Sequence, residues 1–165
     1  MWYVVQVIGG QEDAAVLKIQ KQASNKYEIR KRYFGAWKTR REVLFPGYVF
    51  VDTKTPDSFR QELNKVTTMT KLLSGETETG KKKFIPLSNE EKTLISAFVG
   101  DEDHVMKMSE GIIEGDQIRV LKGPLQGYEA LVAKVDRHKR LAYIDLNILG
   151  RIKTVKVGLE IVQKR

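Results

Sequence analysis

Apolar and polar positions along the chain change rhythm twice. Trp2 to Val7 is a run rich in aromatic and β-branched residues, which predicts a buried first strand ended by Gly9-Gly10. Ala15, Val16, Ile19 and Ala23 then recur at helical spacing. Glu12 and Asp13 stand where a helix N-terminus favours negative charge, so residues 12–24 are expected to be a helix with one buried face. Tyr27 to Tyr33 starts as another strand and runs into a basic segment. Val43 to Val51 follows, interrupted by Pro46-Gly47. Asp57 or Ser58 caps a second expected helix through about Val66, with Phe59, Leu63 and Val66 on one face. Lys71 to Leu73 reads as a short strand and residues 75–83 as a solvated loop. Ser88 precedes Glu91 by three residues, a capping-box spacing that opens a third helix through about Val99. This order predicts an α+β sandwich, helices packed on a mostly antiparallel sheet.

The rhythm changes again after Val99. Residues 100–110 carry Asp101, Glu102 and Asp103, lack an apolar period and read as a linker. Beyond them every apolar segment is strand-like: Gln117–Lys122, Glu129–Asp136, Arg140–Ile148, Ile152–Val157 and Glu160–Gln163. Five short strands at this spacing predict a small closed β-barrel. The expected organisation is a first domain over residues 1–99, a linker over 100–110 and a barrel over 111–165.

Composition narrows the class. With 165 residues and 41% hydrophobic side chains, the chain can form two small packed domains. The absence of cysteine excludes disulfides and thiolate metal sites and suits a reducing compartment. No apolar run approaches the roughly 18 residues of a membrane span, and Met1-Trp2-Tyr3 lacks the basic lead of a signal peptide. A cytoplasmic protein without membrane contact is expected. The net charge is +8 and the pI about 9.6, in the range that points to nucleic acid. Residues 1–108 hold 18 basic and 14 acidic side chains, and residues 109–165 hold 11 and 7. The second segment therefore has about twice the charge density.

Two basic segments stand out. Arg30, Lys31, Arg32, Lys38, Arg40 and Arg41 fall in a stretch without acids, interleaved with Tyr33, Phe34 and Trp37. Basic groups attract phosphates and aromatics stack on unpaired bases; the plainer alternative is a solvated hairpin anchored by its aromatics. In the barrel, Lys122, Lys134, Arg137, His138, Lys139, Arg140, Arg151, Lys153 and Lys156 lie on or near turns. The Arg137–Arg140 run suits the phosphate backbone of a folded RNA. Catalysis is not expected. His104 and His138 are the only histidines, neither with metal-ligand spacing, and Gly123-x-x-x-Gly127 fits no phosphate-binding loop. No cofactor or metal is expected.

The segment Gly115-Asp116-x-Ile118-x-Val120-x-x-Gly123-Pro124-x-x-Gly127-Tyr128 resembles the KOW motif of an SH3-like barrel; Ala130 stands near the place of its usual third glycine. Trp2-Tyr3-Val4-Val5, Gly10-Gln11-Glu12, Phe45-Pro46-Gly47-Tyr48-Val49-Phe50-Val51 and Ile148-Leu149-Gly150-Arg151 resemble, in order, segments of the NusG family of bacterial transcription elongation factors. The resemblance spans residues 2 to 164. It implies an N-terminal NusG-type α/β sandwich (NGN) with an antiparallel sheet, followed by a five-stranded SH3-like KOW β-barrel. It also implies a monomeric, non-enzymatic adaptor. Its first domain would dock on the clamp helices of RNA polymerase through Tyr3, Phe45, Pro46, Tyr48 and Phe50. An alternative for these aromatics is that they fill the core. The basic segment would meet non-template DNA, and the barrel an RNA hairpin, Rho or a ribosomal protein. The barrel's basic turn and Leu149, in place of the family's usual phenylalanine, make the chain similar to LoaP, a specialised antiterminator paralogue. The alternatives are a housekeeping NusG and, in another class, a KOW-containing ribosomal protein.

Overall fold

The computed structural model describes residues 1–7, 22–23, 26–33, 35–63, 70–72, 74–76, 82–99 and 104–164. Two compact units divide the chain. The first comprises Met1–Asn25 and Phe45–Lys92, the second Lys26–Leu44 and Thr93–Arg165.

The first unit is built on a four-stranded sheet. Strand β1 (Trp2–Val7) pairs antiparallel with β5 (Tyr48–Asp52), placing Val4 opposite Phe50 and Val5 opposite Val49. Its other edge carries β6 (Thr70–Leu72), and β2 (Gln22–Ala23) lies outside β5, giving the order β2-β5-β1-β6. A central strand buried on both faces needs consecutive apolar residues rather than alternation. Tyr3-Val4-Val5 and Val49-Phe50-Val51 supply them, all buried. Most of the helix expected over 12–24 lies outside the described residues. Its end, Gln22–Ala23, is a strand instead, because the β5 edge offers backbone partners at Val51 and Phe50. Helix α1 (Pro56–Leu63) begins one residue before the expected cap. Proline suits a first helical position, where its missing N–H has no partner to lose. The expected loop over 75–83 contributes short paired strands at its ends, β7 (Ser74–Glu76) and β8 (Lys82–Phe84). Helix α2 (Asn89–Phe98) follows, its residues through Lys92 in this unit and those from Thr93 on in the second. Its capping box is formed in both directions: the Ser88 N–H donates to Glu91 Oε1 and the Glu91 N–H to Ser88 Oγ, each at 3.1 Å.

The second unit contains two sheets. Strands β3 (Lys26–Tyr33) and β4 (Ala36–Val43) form an eight-pair hairpin, so the basic segment after Tyr33 is itself a strand. Strand β9 (Val105–Met106) pairs parallel with β3, inside the stretch read as linker from its acids. The larger sheet has five strands in the order β11-β10-β14-β13-β12: β10 (Ser109–Glu114), β11 (Gln117–Lys122), β12 (Val132–Asp136), β13 (Leu141–Ile148) and β14 (Arg151–Lys164). Residues 129–131, expected as strand, form a single 3-10 turn. The expected break between two final strands is absent. Strand β14 runs for 14 residues, pairing antiparallel with β13 through Gly158 and parallel with β10 from Leu159 onward. Inward residues Ala142, Ile144, Leu146, Ile148, Val155, Val157 and Leu159 form the barrel core.

Candidate nucleic-acid interface

The turn after β12 is shaped by its own polar groups. Asp136 Oδ1 accepts the Lys139 N–H at 3.0 Å, and the Arg140 N–H donates to the Arg137 carbonyl at 3.3 Å. Arg140 takes the left-handed conformation at φ +54°. Its carbonyl accepts the Leu159 N–H at 3.1 Å, which ties the turn to β14. The half-buried Arg140 guanidinium lies 3.9 Å from the centre of the Trp37 ring and 3.5 Å from a Glu160 carboxylate oxygen. Stacking on an aromatic face and pairing with a partly desolvated carboxylate are both favourable for a guanidinium. The side chain is thereby fixed.

Trp37 belongs to β4. The two basic segments singled out from sequence, residues 30–41 and 137–140, therefore meet within one compact unit. On β4, Lys38, Arg40 and Arg41 are exposed. Lys31 and Arg32 occupy the β3 positions opposite Lys38 and Trp37, and Arg30 lies opposite Thr39, on the face that carries Trp37. Arg30 Nε is hidden from solvent and has no hydrogen-bond partner. At the turn, Arg137, His138 and Lys139 are exposed. Together with Arg140, Glu160 and Ile161, Arg137 and His138 line a cavity of about 380 Å³.

A second grouping lies on the outer face of the barrel sheet. Tyr143 stands opposite Lys134 on β12 and Lys156 on β14, so the three side chains form one row across three strands. Lys134 Nζ is 5.9 Å from the Tyr143 ring centre. An aromatic flanked by cations can stack a base and hold its phosphates.

Other nominated cations fall elsewhere. Lys122, on β11, is ion-paired with Glu110 at 3.4 Å. Arg151 and Lys153 stand opposite Ile148 and Leu146, out of step with the outward row. Sequence reasoning did not single out Tyr143, Glu160 or Ile161, whose roles depend on strand register that alternation alone cannot supply.

In the first unit, Tyr3, Phe45, Tyr48 and Phe50 are all buried, with Phe45 only 1% exposed. Phe45 and Phe50 pack edge to face at 5.0 Å between ring centres. Their aromatic surface lies inside, as the core-filling alternative held, while Pro46 is exposed at the bend between β4 and β5. The bend is closed by the Tyr48 N–H donating to the Phe45 carbonyl at 3.0 Å and the Val7 N–H to the Gly47 carbonyl at 2.8 Å.

Among the described residues, no group of three or more metal-ligating side chains converges, and no helix is long and apolar enough to cross a membrane.

A family model described as "Transcription termination factor nusG" matches residues 1–96, more than half of the chain. The chain belongs to the NusG family. It is thus a NusG-type transcription factor with the family's α+β architecture, an antiparallel sheet followed by a five-stranded C-terminal sheet. A NusG relative from Thermus thermophilus, named "Transcription termination/antitermination protein NusG", is 25% identical over 181 residues, covering 99% of this chain and 97% of its own. A Synechocystis relative of the same name is 27% identical over 184 residues, covering 99% and 89%. A solved structure described as "Domain interaction in Thermotoga maritima NusG" has a TM-score of 0.46 and 18% identity, covering 95% of this chain and 92% of that one.

Proposed function

We propose that this chain is a LoaP-like NusG factor that sustains processive elongation as a cytoplasmic monomer. In this reading residues 1–99 dock on the clamp helices of RNA polymerase, and the barrel over 111–165 binds a leader RNA hairpin. The observation that carries RNA binding is the meeting of the Arg137–Arg140 turn with the basic β4 strand through the Arg140–Trp37 stack, with the Lys134–Tyr143–Lys156 row as a second cationic grouping. Cations at hairpin spacing suit a phosphate backbone read by shape, and the tyrosine suits an unpaired loop base. Lys38, Arg40 and Arg41 extend the charge toward non-template DNA. The docking surface centres on exposed Pro46, and buried Tyr3, Phe45, Tyr48 and Phe50 set the shape of the bend that presents it.

In vitro transcription through terminators, on templates with and without candidate leader hairpins, tests this reading. Read-through confined to hairpin-bearing templates is the expected result; equal read-through on all templates removes it in favour of a general factor. Pro46→Glu is expected to abolish recruitment without lowering the melting temperature.

A second reading, a housekeeping factor joining polymerase to Rho or a ribosomal protein, is favoured by one feature. Ile152, three residues after Leu149, is 69% exposed, a small apolar projection of the kind a protein partner covers. A ribosomal protein of similar barrel would leave residues 1–96, the part that matches the family, without a role.

A further inference from the structure

The cavity at the base of the Arg137–Arg140 turn contains more than a phosphate requires. A site for phosphate alone gains from Arg137, His138 and Arg140 and loses from a carboxylate, yet Glu160 lines the same cavity together with the apolar Ile161. A ligand that uses all five residues carries negative charge, N–H donors and some apolar surface at once. Its size is bounded, because about 380 Å³ lies at the small end of ligand pockets and holds one nucleotide rather than a helix.

We propose that this cavity is a binding site for one unpaired guanine nucleotide, an inference that rests on the nucleic-acid reading above and gives it base specificity. The Watson–Crick edge of guanine presents N1–H and the N2 amino group side by side, a pair of donors that one carboxylate accepts together. Cytosine and adenine offer one amino donor each, and uracil one N–H flanked by two repelled carbonyls. Glu160 is the reader. Its pairing with Arg140 at 3.5 Å fixes the carboxylate and leaves lone pairs to accept from the base. Arg140 has one guanidinium face against Trp37; its other face supports the base, a mode common for unpaired bases on arginine planes. Arg137 and His138, both exposed at the rim, hold the phosphate.

The test uses the full chain and labelled eight-nucleotide oligouridines carrying a single central G, A, C or U, prepared as RNA and as the deoxyuridine DNA equivalents, read by fluorescence anisotropy. The G oligonucleotide is expected to bind about tenfold more tightly than the U oligonucleotide, the discrimination of one good bidentate contact. In Glu160→Gln the G-to-U ratio is expected to fall to about one. Preference in the RNA series, the DNA series or both supports the site and says which strand it serves. Equal binding of all four bases by the wild-type chain overturns the site while leaving the nucleic-acid reading intact. A G preference that survives Glu160→Gln also overturns it. Binding of none of the oligonucleotides sinks both. The wild-type series decides independently of how the variant folds, and competition by guanosine 5′-monophosphate, but not uridine 5′-monophosphate, confirms that one nucleotide suffices.

Discussion

At the tip of the β13–β14 hairpin, Leu149 (φ +53°) and Gly150 (φ +77°) form a two-residue turn with both residues left-handed, closed by the Ile148–Arg151 pair. Such turns favour Asn-Gly, and a leucine there costs on the order of 1 kcal/mol in backbone strain. Leu149→Asn is therefore expected to raise stability by about 1 kcal/mol, measured by urea unfolding; if the leucine serves a partner, the same change weakens that partner's binding. Glu129 acts differently, through charge. Its carboxylate accepts its own backbone N–H, and those of Val120 and Gly127, which together hold its pKa below the ordinary glutamate range against partial desolvation. The bond to Val120 is 3.1 Å. A depressed folded-state pKa gives stability that is full above the unfolded value and lost as pH falls through the folded one. The melting-temperature gap between wild type and Glu129→Gln is thus expected to be widest near neutral pH and to close in acid. A gap that stays constant with pH would remove this charge-based role.

Among the elements, helix α2 rests on a reciprocal cap, and Ser88→Ala is expected to cost about 1 kcal/mol while leaving barrel-based RNA binding unchanged. This helix was legible in sequence because Ser88 and Glu91 carry the signal locally, as was β1 from its unbroken apolar run. Strand β4 was not, because Trp37, Lys38, Thr39, Arg40 and Arg41 offer no apolar alternation; pairing with β3 makes it a strand. Strand β10 escaped because Gly111 and its flanking acids look like loop. Yet a Cβ at Gly111 would come within 2.9 Å of the Arg119 carbonyl oxygen, so the glycine permits close strand approach rather than ending a strand. The two expected final strands are one because Gly158 sits where β14 changes neighbours from β13 to β10. The cations of the candidate site were legible by type, but their grouping was not. Lys134, Tyr143 and Lys156 lie far apart in sequence and meet only through register.

For the whole molecule, charge sets how binding responds to salt. Each phosphate neutralised by a lysine or arginine releases counterions, so affinity falls with ionic strength at a slope that counts such contacts. Lys156→Ala is expected to weaken binding of every sequence alike and to lower the salt slope by about one. Ile152→Ser leaves that slope unchanged and reports only on protein partners. The Trp37–Arg140 stack makes hairpin and barrel respond together: Trp37→Ala is expected to reduce affinity although it removes no charge. Strand β14 carries a consequence for synthesis. The β10–β11 hairpin has its remaining sheet neighbour in residues 159–164, which leave the ribosome after every other barrel strand. Until then that hairpin is a two-stranded ribbon, marginal on its own in water. Barrel assembly must therefore await synthesis of residues 159–164, and a nascent chain stalled before Gly158 should expose β10 to proteases that the assembled barrel resists.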